Sequence, residues 1–130
     1  MKKSPFHPDI AVVSHNKTWL TELLVNRLPK GVTVFESCRW EGSDLGLGTA
    51  KINVFMITPG SFDKSRMHEC GEQIMQYPSK SIVLLSAEKE RGSAFSYETT
   101  ESLKSYFSQF NVPIFTSLNS CASFVKDKIK

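Results

Sequence analysis

Three histidines, three cysteines and thirteen carboxylates are the side chains from which this 130-residue chain would have to build metal or acid–base chemistry. Their spacing does not assemble them. His7, His15 and His68 share no metal-ligand interval with one another or with Cys38, Cys70 and Cys121. His68-Glu69 lacks the second histidine that a zinc protease carries one helical turn on. Two neighbours could supply a nucleophile, Ser14 beside His15 and Cys38 beside Arg39. Adjacent side chains rarely face each other, however, and no G-x-S-x-G elbow is present. The run Gly42-Ser43-Asp44-Leu45-Gly46-Leu47-Gly48 is glycine-rich but lacks the Gly-Lys-Ser/Thr end that cradles phosphate. It reads as a flexible loop. A magnesium site needs clustered hard oxygens, yet the first, third and fifth of the apolar runs below do not end in a carboxylate, and only Glu36 follows the second closely. No catalytic residue, metal or cofactor is expected from these patterns.

Any site must be carried by short apolar strands alternating with amphipathic helices. The strands are predicted at Ile10–Val13, Val32–Phe35, Ile52–Ile57, Ser81–Leu85 and Ile114–Phe115. After the first, Asn16 or Thr18 can cap a helix with a stripe of Leu20, Leu23, Leu24 and Leu28, stopped by Pro29-Lys30-Gly31. Residues 36–51 hold three of the seven glycines, which predicts a loop with at most one turn. The next helix, capped by Ser61 or Asp63, has apolar positions Met67, Cys70, Gly71, Ile74 and Met75 and ends at Tyr77-Pro78. A polar loop from Ser86 to Phe95 leads to a helix capped by Ser96, with Leu103, Tyr106, Phe107 and Phe110 on one face, closed by Asn111-Val112-Pro113. The last helix starts near Asn119 and buries Ala122, Val125 and Ile129.

This alternation argues for an α/β chain with a five-stranded parallel sheet covered on both faces. Right-handed crossovers favour the order 2-1-3-4-5 of a flavodoxin-like three-layer sandwich. Sites in such sheets lie at the carboxyl ends of the strands. The residues to inspect are Ser14 to Asn16, Glu36 to Arg39, Thr58 to Ser61, Ser86 to Glu88 and Thr116 to Asn119.

Length and composition fit one domain, residues 1–130, with 1–8 and 126–130 as flexible ends. No apolar run approaches the roughly 20 residues that span a bilayer, and MKKSPFHPDI has no apolar core of a secretory signal. With three widely spaced cysteines, the expected setting is a reducing cytoplasm. The net charge of +3 comes from the ends: between residues 4 and 125 there are 11 basic and 12 acidic residues. No helix carries a basic stripe, so direct nucleic-acid binding is not expected.

The stretch VVSHNKTWLTELLVNRL resembles the start of a two-component receiver domain. TPGSFDK is similar to the receiver loop after strand three, QYPSKSIVLLSA to the segment through strand four, and VPIFTSLNSCASFVKDKI to strand five and the closing helix. The resemblance implies a response-regulator-like signalling module, but the family's chemistry does not carry over. Ser14 and His15 stand where receivers hold the acidic pair that binds magnesium. Thr58 follows strand three where the phosphate-accepting aspartate is expected, and Asp63 lies several residues too late. Thr116-Ser117-Leu118-Asn119 occupies the place of the lysine on strand five, and only a hydroxyl survives after strand four, Ser86. The resemblance therefore implies a pseudo-receiver with a degenerate strand-end pocket of Ser14, His15, Thr58, Ser86 and Ser117. Such a domain acts through protein contacts, commonly on the face of the family's fourth helix, fifth strand and fifth helix. Here that face would draw on Tyr97, Glu101, Lys104, Ser105 and Asn119, with a protein partner or a second copy. Tyr97, Tyr106 and Phe110 are the aromatics that self-association would use.

A second resemblance competes. Asp9 to His15 is similar to the first box of Toll/interleukin receptor (TIR) domains, and SFDKSRMHECGEQI to their third-helix region. There Ser65 fits the family's serine, Met67-His68 replaces its Trp-Cys pair, and Glu69 or Glu72 lies near its glutamate. The implied alternative is NAD cleavage, or association between TIR domains, with Ser65, Glu69 and Glu72 as the NAD site.

Overall fold

A computed structural model describes residues 8–13, 24–37, 48–57, 64–85 and 97–129, with the backbone alone at 36–37, 64–67 and 97. Five strands, β1 (Ile10–Val13), β2 (Val34–Ser37), β3 (Ile52–Ile57), β4 (Ser81–Leu85) and β5 (Ile114–Phe115), form one parallel sheet in the order β2-β1-β3-β4-β5. Three helices follow strands β3, β4 and β5 in turn: α1 (Lys64–Gln76), α2 (Tyr97–Ser108) and α3 (Leu118–Ile129). A further helical segment is described over residues 24–26. This is the flavodoxin-like arrangement that the sequence predicts.

The continuous apolar strands are explained by burial on both faces. Side chains alternate across a strand, and here each set meets a helical layer. Ile10, Val12, Ile52, Val54, Met56, Ile82 and Leu84 pack with Leu24, Leu28 and the α3 residues Leu118, Cys121, Ala122 and Val125. Ala11, Val13, Phe55, Ile57, Val83 and Leu85 pack with Cys70 and Ile74 of α1 and Leu103 and Phe107 of α2.

Three expectations are corrected. The second strand starts at Val34, not Val32, because pairing with β1 begins at Ile10↔Val34. Thr33 is taken up by Asp9 instead, and Gly31, at φ 89°, makes the turn that only glycine adopts readily. Met75 is 65% exposed although the spacing puts it on the apolar stripe. That flank of α1 is filled one turn earlier, where the Phe110 ring and the Tyr106 hydroxyl come up against Gly71. Finally, 126–129 are not a loose end. The helix α3 runs to Ile129, which packs against the core while its carbonyl accepts from Lys51 Nζ at 3.5 Å. At the other end Pro8 is already buried.

Asp9 gathers the amino ends of three strands. Its N–H donates to Thr33 Oγ1 at 2.9 Å, and its carboxylate accepts from Thr33 N at 3.1 Å and Lys51 Nζ at 3.3 Å. Its carbonyl accepts from the amides of Lys51 and Ile52. Burial alone would raise the Asp9 pKa; the Thr33 backbone N–H and the Lys51 ammonium outweigh it and hold the pKa below its ordinary 3.8. A depressed folded pKa means the carboxylate stabilises the fold above the unfolded value and that this is lost as pH falls through the folded one. Asp9→Asn is therefore expected to cost about 1 kcal/mol at pH 7. It should also flatten the fall in melting temperature that the wild type shows below about pH 4. Identical acid melting curves for the two proteins would refute this role.

Candidate functional site

The sheet order fixes where a ligand or partner would meet the strand ends. The chain enters the sheet at β1, turns one way to β2 and then crosses to β3 on the other side. The carboxyl ends of β1 and β3 therefore stand side by side at the switch point, where such sheets open a crevice. The strands reach that rim as buried apolar residues: Val13, Ile57 and Leu85 are each 1% exposed. Of the five strand-end pocket residues, Ser14, His15, Thr58 and Ser86 lie outside the described residues. Ser117 is described, and it is a helix cap. Its Oγ accepts from the Ser120 amide at 3.3 Å and its carbonyl from the Cys121 amide at 3.0 Å, satisfying donors at the start of α3.

The proposed contact face takes shape around the edge strand. Among the described strands β5 pairs only with β4, and α2 and α3, on opposite faces, both touch it. On α2, Glu101 and Ser105 are exposed, and Lys104 Nζ lies 3.2 Å from Glu101 Oε2. An ion pair this open to solvent adds little stability, so it leaves both charges available to a partner. Tyr97 begins the helix, with its side chain outside the description. Asn119 is exposed on α3, and its Oδ1 accepts from Arg27 Nε at 2.8 Å. Arg27 joins the first turn of α3 to the segment after residues 24–26; sequence spacing gave no sign of it, because the partners are 92 residues apart.

The aromatic set near α2 differs from the expectation. Tyr106 and Phe110 are half-buried and pack edge-on to each other at 5.6 Å, with Tyr106 edge-on to Phe107 at 5.1 Å. Both also contact α1 at Gly71, so much of their surface is already used within the domain.

The alternative NAD residues sit on α1. Glu69 and Glu72 are exposed, and Glu72 Oε2 faces His68 Nε2 at 3.4 Å. Ser65 lies in the first turn, its side chain outside the description. Among the described residues, no three His, Cys, Asp or Glu side chains gather in a way that could hold a metal ion.

Cys70 and Cys121 are free thiols buried on opposite faces of the sheet. Burial drives the Cys70 thiol far up and pushes Cys121 to about 12, so neither offers a thiolate at neutral pH. Cys38 lies outside the described residues. A further polar feature escaped the sequence reading: Lys80 Nζ donates to the carbonyls of Gly48 at 3.0 Å and Ala50 at 2.7 Å.

No described helix is long and apolar enough to cross a membrane. No protein-family model matches the chain, and neither a curated protein nor a solved structure matches it.

Proposed function

We propose that this chain is a receiver-like regulatory module that takes no phosphoryl group and works through protein contacts. The observation that carries the reading is the sheet order. It sets the ends of β1 and β3 together, and the residues that follow them in the chain are Ser14-His15 and Thr58. Receivers concentrate carboxylates there. Hydroxyls and one imidazole supply neither the clustered hard oxygens that magnesium prefers nor an aspartate to attack phosphorus. The scaffold then serves to present a surface, and the flank formed by α2, the β5 edge and α3 is the candidate. Its exposed Glu101, Ser105 and Asn119, with the half-buried Lys104, suit a polar protein partner. Two buried free thiols suit a reducing, cytoplasmic setting.

Incubation with acetyl phosphate and magnesium should give no mass gain of one phosphoryl group. A stoichiometric, hydroxylamine-sensitive adduct would overturn the proposal. The same preparation, kept concentrated enough to assemble, should release no nicotinamide from NAD. Release that drops in Glu69→Ala or Glu72→Ala would replace the receiver-like reading with the TIR-like one.

A further inference from the structure

Lys80 ends the short 3-10 turn Pro78–Lys80 that leads into β4. Its two acceptors belong to another segment, the helical turn just before β3. Carbonyls at the end of a helical turn have no partner within it, and here one side chain serves two of them. The ammonium also lies 5.3 Å from the centre of the Tyr77 ring. The Tyr77 hydroxyl approaches the same turn: it would stand 3.3 Å from a Cβ at residue 48. Past the turn, the amides of Lys51 and Ile52 reach the Asp9 carbonyl at 3.2 and 3.3 Å, at the long end of hydrogen-bond lengths. The turn at residues 48–50 is thus tied to the end of α1 by the Lys80 side chain, with the Tyr77 hydroxyl close by.

We propose that Lys80 is a latch on the turn at residues 48–50 and that acylation of its amine opens it. In the modification, the neutral amine attacks the carbonyl carbon of an acyl thioester. A C–N bond forms, the C–S bond breaks, the thiolate leaves, and the nitrogen gives up its surplus proton to solvent. The resulting amide has one N–H where the ammonium had three. It cannot serve Gly48 and Ala50 together, and it brings no charge to the Tyr77 ring. The half-buried position keeps the amine within reach. The same partial burial lowers its pKa, enlarging the reactive neutral fraction. The inference rests on the amino-end geometry, independently of what the rim binds.

The test is amide hydrogen exchange at Lys51 and Ile52, compared with Val83 in β4. Four proteins are needed: wild type, Lys80→Arg, Lys80→Gln, and protein acetylated at Lys80. Exchange at Lys51 and Ile52 should be at least about tenfold faster in the acetylated and Lys80→Gln proteins. Lys80→Arg, which keeps charge and several donors, should stay near wild type, and Val83 should be unchanged. Unaltered rates at Lys51 and Ile52 would overturn the latch. So would an equal acceleration at Val83, which would make Lys80 a pin for the whole core, or Lys80→Arg exchanging as fast as Lys80→Gln.

Discussion

Phe107→Ala should lower the unfolding free energy by about 3–5 kcal/mol, read as a shift of the urea midpoint. Phe107 is fully buried, the largest anchor among the described side chains that α2 sends into its side of the core. Its ring lies edge-on to Tyr106 at 5.1 Å and tilted against Phe110 at 6.3 Å, so its loss also removes support from two half-buried aromatics. Among the described side chains of the helix the other buried apolar residue is Leu103, which by itself cannot hold twelve residues on the sheet. Truncation at Phe107 therefore reaches the proposed contact face through packing: on the same helix Glu101 and Ser105 are exposed and Lys104 is half-buried. Their own replacement by alanine should stay within about 0.5 kcal/mol. Partner binding lost in those surface variants reports the face itself, whereas loss in Phe107→Ala reports a displaced helix. A midpoint shift worth under about 1 kcal/mol for Phe107→Ala would show that the cavity collapses and α2 is anchored elsewhere.

The strands show how far the sequence carries. A continuous apolar run between turn residues has one stable use in a short segment, burial on both faces of a sheet. Ile52–Ile57 and Ser81–Leu85 are buried at every position, and both ends of each were legible. The edge strand β2 gave a weaker signal. Its apolar letters begin at Val32, but the register belongs to hydrogen bonds, and Thr33 is engaged by Asp9. Met75 failed for a related reason. Helical spacing records which residues share a flank, but not that a neighbouring helix reaches α1 at a glycine one turn away. At the candidate site, strand-end logic named positions without their duties. Ser117 proved to be a cap and Asn119 the acceptor of an arginine from the far end of the sequence. Lys80 and Asp9 were missed because a side chain that bonds main-chain groups on a distant segment leaves no local pattern.

Overfilling the contact between α1 and the end of α2 should be the complementary test of how these helices are held. An ideal Cβ at Gly71 would lie 2.7 Å from Phe110 Cζ, and 3.3 Å from both Phe110 Cε2 and the Tyr106 hydroxyl. At 2.7 Å something must move. Gly71→Ala sets that displacement against a gain of about 1 kcal/mol in helix propensity, so its net effect should be small. Gly71→Leu adds a branched side chain where the Phe110 ring already lies, and is expected to cost about 3 kcal/mol, the upper part of the range for overpacking. Phe110→Ala vacates the same volume and is itself costly, because the ring also packs on Tyr106 and Phe107. Combined, the two changes should be milder than their sum by about 1–2 kcal/mol, since the leucine then enters the space the ring has left. A double-mutant cycle on urea midpoints measures this coupling. Strict additivity would mean that Phe110 swings clear of Gly71 at no cost, and that the close approach of its ring does not set the distance between α1 and α2.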